Sequence, residues 1–187
     1  MRELSMHILD LLENALEAGA TLVDLKIDED LAADQLVIEV SDDGRGMDAV
    51  TARRALDPFY TTRTTRHVGL GLPLLKAAAE RCGGSLALTS KVGSGTQVRA
   101  TFVHSHMDRA PLGRIGDSLL AFLMSDMGAG LIYRHRVGEN VFEMDSTAVK
   151  SELDGVPLSH PRVREWLYEA IREGERELYL ESQVDST

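Results

Sequence analysis

Four polar residues near the start of the chain lie three or four positions apart, and two of them could bind a metal ion. They are His7, Asp10, Asn14 and Glu17. Residues at this spacing are neighbours on one face of a helix. Asp10 and Asn14 offer a carboxylate beside an amide oxygen, and hard cations such as Mg²⁺ prefer oxygen ligands. The pair could bind hydrated Mg²⁺ and orient a water molecule, or it could be the solvated side of an amphipathic helix.

Two aspartates directly follow a predicted strand and precede two glycines. A carboxylate at Asp42 or Asp43 could accept a hydrogen bond from an exocyclic amine such as that of adenine. Gly44 and Gly46 permit a tight turn and a close approach of the backbone to a flat ring. A simple Asp-Gly turn is the alternative interpretation of this segment.

A further pair of glycines, Gly69 and Gly71, leads into another predicted helix. The free amides and the dipole at a helix N-terminus favour an anion. Arg63 and Arg66 lie just upstream, on a loop that could close over phosphate groups. The segment is not a Walker A loop, because no Gly-Lys-Ser/Thr ends it. It is not a Rossmann fingerprint either, because the glycines follow a loop and not a strand.

The hydrophobic pattern predicts the elements that must position these residues. Apolar residues at helical spacing predict a first helix, with Ser5 as its N-cap and Gly19 at its end. Alternating apolar positions predict strands over 21–28 and 36–40. The predicted order over 1–103 is α-β-β-α-α-β-β, which is typical of an α+β fold, a two-layer sandwich with helices on one face of a largely antiparallel sheet.

The sequence pattern changes after Val103, so we expect a domain boundary between residues 1–103 and an extension over 104–187. A short helix, a hairpin and a long helix are predicted in this C-terminal α/β extension. The hairpin could extend the sheet, or the extension could form the surface of a homodimer. We favour sheet extension, because an exposed edge strand is usually covered.

Composition limits the classes of protein that fit. The chain has 187 residues, a net charge of −10 and a single cysteine, Cys82. Strong acidity argues against nucleic acid or an anionic membrane as a partner. One cysteine fits a reducing, cytoplasmic environment. Residues 45–66 reverse the acidic balance with five arginines against two aspartates. Such a basic segment is more often a solvated surface, but it could also face an anion such as phosphate.

Five segments resemble, in chain order, the motifs of the GHKL ATPases, a family that includes gyrase B, MutL and the histidine kinases. They are ILDLLENALEAGAT (8–21), SDDGRGM (41–47), DPFYTTR (57–63), GLGLPLLK (69–76) and GSGT (93–96). The third and fourth segments resemble the histidine kinases in particular. The resemblance implies the Bergerat ATP-binding fold over residues 1–103.

The resemblance also implies roles for individual residues in binding ATP and Mg²⁺. Asn14 is the expected Mg²⁺ ligand, and Asp10 stands where gyrase and MutL carry a catalytic glutamate. Asp42 is expected to bind the adenine amine, with Thr96 assisting through water. The other expected contacts with ATP come from Gly44, Gly46, Arg63, Gly69 and Gly71.

Two functions fit these motifs. The first is a stand-alone kinase-like subunit that transfers phosphate to a separate protein. The kinase-like motifs over 57–76 support it, because their short lid leaves the terminal phosphate accessible. The second is a nucleotide-controlled binding module with slow ATPase activity and no phosphoacceptor. It is favoured by the 84-residue extension and by the lack of a recognisable acceptor: few residues precede His7, and no histidine is followed by an acid, as a phosphoacceptor histidine normally is. Slow hydrolysis is expected because Asp10 reaches one methylene less far than glutamate. Both functions require a protein partner.

Overall fold

The computed structural model describes residues 3–57, 71–125 and 128–180. In chain order, its elements are α1 (Leu4–Glu17), β1 (Leu22–Asp30), β2 (Gln35–Asp42), α2 (Ala49–Arg54), α3 (Gly71–Arg81), β3 (Ser85–Lys91), β4 (Gly95–Val103), α4 (Ile115–Leu123), β5 (Gly130–Val137), β6 (Asn140–Asp145), α5 (Ser146–Glu152) and α6 (Pro161–Leu180). The order predicted for the first part of the chain is confirmed. None of these helices has the length and apolar character needed to cross a membrane.

The six strands form one sheet in the order β3-β4-β2-β1-β5-β6. Four neighbouring pairs are antiparallel, and only β1 and β5 run parallel. Residues 22–29 of β1 lie in register with residues 130–137 of β5. The hairpin of β5 and β6 therefore extends the sheet, which continues across the boundary predicted near Val103.

Helices cover one face of the sheet, and the other face is charged. Five residues that are cross-strand neighbours make one row across the open face: Arg99, Glu39, Lys26, Arg134 and Glu143. Ion pairs join Arg99 to Glu39 at 3.5 Å and Arg134 to Glu143 at 3.2 Å. Exposed pairs of this kind contribute little to stability, but they keep this face of the sheet solvated.

The hydrophobic core continues through both parts of the chain. The extension contributes, among others, Leu131 and Tyr133 of β5 and Leu167 and Ile171 of α6, all at most 1% exposed. Each large apolar side chain buried in this way contributes about 1.5–3 kcal/mol to the free energy of folding. The described part of the extension therefore shares the core that supports the first segment.

A buried polar cluster also joins the two parts of the chain. The His135 side chain of β5 is fully buried, with Nδ1 2.8 Å from Glu175 Oε2 and Nε2 3.1 Å from Glu29 Oε1. Tyr179 and His104 also hydrogen-bond to Glu29. Burial alone would lower the pKa of His135, but the hydrogen bonds to both glutamates raise it to about 9. At neutral pH the protonated His135 of β5 is therefore ion-paired with Glu29 of β1 and with Glu175 of α6.

The predicted cap of α1 is wrong. The helix begins at Leu4, and Ser5 lies within its first turn, where its hydroxyl donates to Glu3 Oε2 at 3.3 Å. A serine inside the first turn can still bond locally, so its presence alone did not locate the helix start. The predicted end is confirmed, because Gly19 has a φ of +75°, in the left-handed region that glycine adopts readily.

Candidate functional site

The turn after β2 is the centre of the candidate site. Asp42 ends β2 and lies in register with Thr96 of β4. Its Oδ1 accepts a hydrogen bond of 2.9 Å from the backbone N–H of Gly44. A Cβ built on Gly44 would lie 2.8 Å from the Cβ of Ala18 and 2.9 Å from Asp42 Oδ1. The absence of a side chain at Gly44 thus lets the turn lie against the end of α1.

Two further glycines hold this turn against the hairpin of β3 and β4. Gly46 has a φ of +64°, and a Cβ there would lie 2.0 Å from the carbonyl oxygen of Lys91. Gly95 has a φ of +88°, and its Cβ would lie 1.8 Å from the carbonyl oxygen of Asp42. Real side chains do not tolerate such distances, so both positions require glycine. The sequence placed Gly95 in a motif but did not single it out as a site residue.

Helices α1 and α3 meet beside this turn. A Cβ on Gly71 would lie 3.0 Å from the Cβ of Asp10 and 3.2 Å from its Oδ2. The carboxylate of Asp10 therefore lies against the first turn of α3, and Asn14 follows one turn later on α1. Both side chains are partly buried. The structure thus brings the Asp10 carboxylate close to a helix N-terminus, with the Asn14 amide one turn away on α1, a suitable arrangement for a cation bound to an anion.

The structure distinguishes the two adjacent aspartates. Asp43 accepts hydrogen bonds from Thr21 N at 2.7 Å, Thr21 Oγ1 at 2.5 Å and Leu22 N at 3.0 Å. The bond from the Thr21 hydroxyl is the main reason that the pKa of Asp43 is lowered. Burial raises the pKa of Asp42, although backbone N–H groups of Gly44 and Thr96 oppose the shift. Asp43 therefore anchors the start of β1, a role that the sequence did not predict.

Arg45 stabilises the same turn from the other side. Its Nη1 donates to the carbonyl oxygen of Glu17 at 2.6 Å. Its backbone N–H donates to the carbonyl oxygen of Ala18 at 2.9 Å. A cation at the C-terminus of a helix also interacts favourably with the helix dipole. Arg45 is one of the five arginines of the basic segment that could have faced solvent or an anion, and the structure places its guanidinium at the end of α1.

Other predicted residues lie elsewhere or outside the described ranges. Arg63 and Gly69 fall within residues 58–70, which the structure does not describe. His7, on the same face of α1 as Asp10, is 5% exposed, and burial with the nearby N-terminal charge lowers its pKa to about 4. Within the described ranges no group of three or more His, Cys, Asp or Glu side chains could hold a metal ion. His104 instead pairs with Glu29.

The fold is shared with a solved structure of a DNA repair protein. That structure, described as the crystal structure of the N-terminal domain of a DNA repair protein, matches with a TM-score of 0.51. The match covers 78% of this chain and 53% of that chain at 14% identity. At so low an identity the similarity establishes the fold alone, a mixed α/β sandwich with helices on one face of the sheet.

The sequence establishes the family. Residues 2–106 match the family described as histidine kinase-, DNA gyrase B-, and HSP90-like ATPase. The chain belongs to this family, and the matched segment contains α1, the turn after β2, the start of α3 and the hairpin of β3 and β4. Residues 2–106 are therefore an ATP-binding domain, related to the catalytic domains of histidine kinases and to MutL.

Three relatives illustrate the range of this family. The sensor protein kinase FleS of Pseudomonas aeruginosa is 43% identical over 108 residues, which is 58% of this chain and 26% of that protein. A putative sensor protein of Shewanella frigidimarina is 31% identical over 57% of this chain and 17% of its own length. The DNA mismatch repair protein MutL of Gemmatimonas aurantiaca is 36% identical over 48% of this chain and 16% of its own length. The chain thus spans about a quarter or less of each relative.

Proposed function

We propose that the protein binds Mg²⁺·ATP at the turn after β2 and transfers phosphate to a separate protein. The observation that carries the proposal is the position of α1, whose end lies against the glycine turn after Asp42 and whose Asp10, one turn before Asn14, lies against the start of α3. Each feature has an ordinary structural explanation when it is considered alone. Together they provide an acceptor for a base, oxygen ligands for a cation and free amides for phosphate groups.

The adenine end of the site is formed by β2 and β4. Asp42 accepts the hydrogen bond of the exocyclic amine, and Thr96, its cross-strand partner, assists through a water molecule. Gly44 and Gly46 line the pocket, because neither carries a side chain that would separate the ring from the backbone. Gly95 holds the main chain of Asp42 in place from the hairpin.

The phosphate end is formed by α1 and α3. The amide oxygen of Asn14 is the proposed Mg²⁺ ligand, and the carboxylate of Asp10 orients the group that attacks the terminal phosphate. When bound, the metal ion neutralises charge on the phosphate oxygens. Gly71 offers a backbone amide at the start of α3, and by resemblance Gly69 and Arg63 contribute to the same end of the site.

Transfer to a protein is favoured over rapid hydrolysis by the chemistry of Asp10. Phosphoryl transfer depends mainly on positioning and charge neutralisation, so it does not require a strong base. Hydrolysis requires a well-placed attacking water, and the short side chain of an aspartate reaches less far towards one. The relatives named as a sensor protein kinase and a sensor protein are consistent with transfer. We also propose a cytoplasmic location, which the single cysteine favours.

A second function, a nucleotide-controlled binding module, is favoured by the sheet. β1 pairs with β2, which carries Asp42, on one side and with β5 on the other. A displacement of Asp42 on nucleotide binding could therefore reach the extension through β1, the one strand between β2 and β5. In this alternative residues 1–103 bind and slowly hydrolyse ATP, and residues 104–187 present a surface to a protein partner or to a second copy of the chain.

Incubation with γ-labelled ATP distinguishes the two functions. The purified protein is tested alone and with the proteins encoded beside its gene, and the label is followed on protein and as free phosphate. Labelled protein is the expected result, and its acid stability reports the type of phosphoacceptor residue. Free phosphate with no labelled protein would contradict phosphate transfer and support the binding module.

The Asp42→Ala substitution tests the adenine assignment separately. A hydrogen bond to a charged group contributes about 1.5–3 kcal/mol, so we expect ATP affinity to fall roughly 10- to 150-fold. Calorimetric titration with a non-hydrolysable ATP analogue measures this fall. The matched control is Asp117→Ala, which alters a half-exposed aspartate of α4. Equal affinity in Asp42→Ala and in the control would show that the assignment is wrong.

A further inference from the structure

Ser90 of β3 makes three hydrogen-bond contacts beside the proposed adenine pocket, and no role has been assigned to it above. Its Oγ accepts from the backbone N–H of Met47 at 2.8 Å and donates to the carbonyl oxygen of Gly95 at 3.0 Å. It also lies 3.0 Å from the hydroxyl oxygen of Thr96, its cross-strand partner. Ser90 thus connects the turn after β2, the hairpin and β4.

The direction of these bonds follows from the number of protons available. An amide N–H only donates and a carbonyl oxygen only accepts, whereas a serine hydroxyl has one proton to give. Ser90 gives its proton to the carbonyl of Gly95, since that oxygen has none of its own to supply. The contact between Ser90 and Thr96 then takes its proton from Thr96. With its proton directed at Ser90, the hydroxyl of Thr96 is an acceptor towards any other group.

We propose that Ser90 is a positioning residue that favours adenine over guanine by holding the Thr96 hydroxyl as an acceptor. The inference rests on the proposed function, in which Asp42 and Thr96 meet the base. The backbone N–H of Thr96 also opposes the rise in the pKa of the Asp42 carboxyl, so it faces that side chain. The base therefore meets the Asp42 carboxylate directly and the Thr96 hydroxyl through water, and both side chains are acceptors.

Two acceptors side by side discriminate between the purines. Adenine carries an exocyclic amine, a donor, where guanine carries an oxygen that only accepts. Guanine would place its oxygen, an acceptor, opposite these acceptors. A site built to accept a hydrogen bond from its ligand discriminates strongly against a ligand that has no donor at that position. Without Ser90, the Thr96 hydroxyl can rotate and donate to guanine, either directly or through water.

Calorimetric titration of the full chain with the non-hydrolysable analogues AMPPNP and GMPPNP tests the proposal. In Ser90→Ala we expect the ratio of the two affinities to fall about tenfold, since one hydrogen bond is redirected. Discrimination persists in part because Asp42 is still present. Ser90→Thr keeps the hydroxyl and is expected to retain the ratio of the unaltered protein.

The matched control is Ser85→Ala on the same strand. Ser85 Oγ lies 3.1 Å from Thr101 Oγ1, so this substitution removes a similar cross-strand hydroxyl contact at the far end of β3. In Ser85→Ala the ratio of the AMPPNP and GMPPNP affinities should equal that of the unaltered protein. A double-mutant cycle with Thr96→Val adds a further criterion. If Ser90 acts through Thr96, Ser90→Ala should not alter the ratio in the Thr96→Val background.

The outcomes separate this inference from the proposed function. An unchanged ratio in Ser90→Ala, or an equal loss of affinity for both nucleotides, overturns the role of Ser90. If Asp42→Ala also binds AMPPNP like the unaltered protein, the adenine assignment itself fails. If Ser90→Ala proves too unstable to titrate, Ser90→Cys replaces it. The thiol of Ser90→Cys is a weak donor and a weak acceptor, so this variant should lower the ratio of the AMPPNP and GMPPNP affinities, but by less than Ser90→Ala. An unchanged ratio in that variant overturns the proposal equally.

Discussion

At the scale of single residues, Asp42 and Asp43 show how surroundings separate identical side chains. Asp43 is exposed and accepts three hydrogen bonds from the start of β1. Asp42 is partly buried beside glycines, and burial raises its pKa above the ordinary value of 3.8. The motif resemblance singled out Asp42 for adenine, but it did not show what Asp43 binds, because that depends on a contact with residues about 20 positions earlier in the chain.

The raised pKa of Asp42 predicts how nucleotide binding depends on pH. The adenine amine donates to the ionised carboxylate, so binding weakens once that group is protonated. Because its pKa is raised, we expect this loss to begin at a higher pH than for an ordinary aspartate. Calorimetric titration with AMPPNP between pH 7 and 4.5 measures the effect.

The variant Asp42→Asn isolates this contribution from the titration of the phosphate groups. An amide does not titrate in this range, so affinity in Asp42→Asn should change less with pH than in the unaltered protein. Identical pH profiles for the two proteins would mean that another group controls the pH dependence.

At the scale of elements, the hairpin of β3 and β4 depends on glycines for two different reasons. Gly93 and Gly95 both have positive φ, +74° and +88°. A Cβ on Gly93 would meet nothing within 4 Å, whereas a Cβ on Gly95 would meet the carbonyl oxygen of Asp42. Gly93 is thus required only for the turn, and Gly95 is also required for the contact between hairpin and site.

This difference predicts unequal effects of two matched substitutions. Gly93→Ala imposes only a left-handed backbone on alanine, which costs about 1–2 kcal/mol. Gly95→Ala adds a clash that must displace β4 from Asp42, so it should destabilise the fold further and weaken ATP binding. Thermal unfolding and nucleotide titration of both variants test this. Equal losses of stability and equal nucleotide affinity would contradict the importance of the contact with Asp42.

At the scale of the whole molecule, the buried cluster around His135 holds the extension to the first segment. The fully buried imidazole lies between Glu29 of β1 and Glu175 of α6. Burial alone would raise the pKa of Glu29, but hydrogen bonds from His135, Tyr179 and His104 lower it to about 2. Removal of one partner from a buried ion pair is costly, about 3–5 kcal/mol, because the other charge is left unpaired.

The cluster predicts how stability varies with pH. The pKa of His135 rises from 6.5 to about 9 on folding, so its contribution is complete below pH 6.5 and is lost as the pH rises through 9. The pKa of Glu29 falls from 4.5 to about 2, so its contribution is complete above pH 4.5 and is lost as the pH falls through 2. The contribution of the cluster to stability should therefore be largest between pH 4.5 and 6.5.

Urea unfolding between pH 6 and 9 tests this prediction. The single tryptophan, Trp166, lies on α6 and reports the unfolding of the extension by fluorescence. The free energy of unfolding should fall across this range by an amount on the order of 3 kcal/mol. His135→Gln should be less stable and should lack most of this fall, whereas His160→Gln, which alters an exposed histidine, should retain it. A similar fall in His135→Gln would exclude His135 as its source.

Much of this molecule could be predicted from its sequence, because the relevant signals are local. Hydrophobic periodicity indicated the helices and strands, since residues three or four apart share a helix face and alternate residues share a strand face. The motifs placed Asp10, Asn14 and Asp42 in one ATP site, and the family match supports ATP binding by this segment. Their individual roles remain predictions. Ser5 was misjudged because its hydroxyl can also bond within a helix turn.

Only the tertiary structure decided what depends on residues far apart in the chain. It revealed that Asp43 holds the start of β1, and it placed Ser90 against Met47, 43 positions away. The pairing of His135 with Glu29 spans 106 positions. The sequence by itself determined the elements and the chemistry of the nucleotide motifs, whereas folding decided which side chains meet. The reason is that hydrogen bonds and burial act over a few ångströms in space, whatever the separation along the chain.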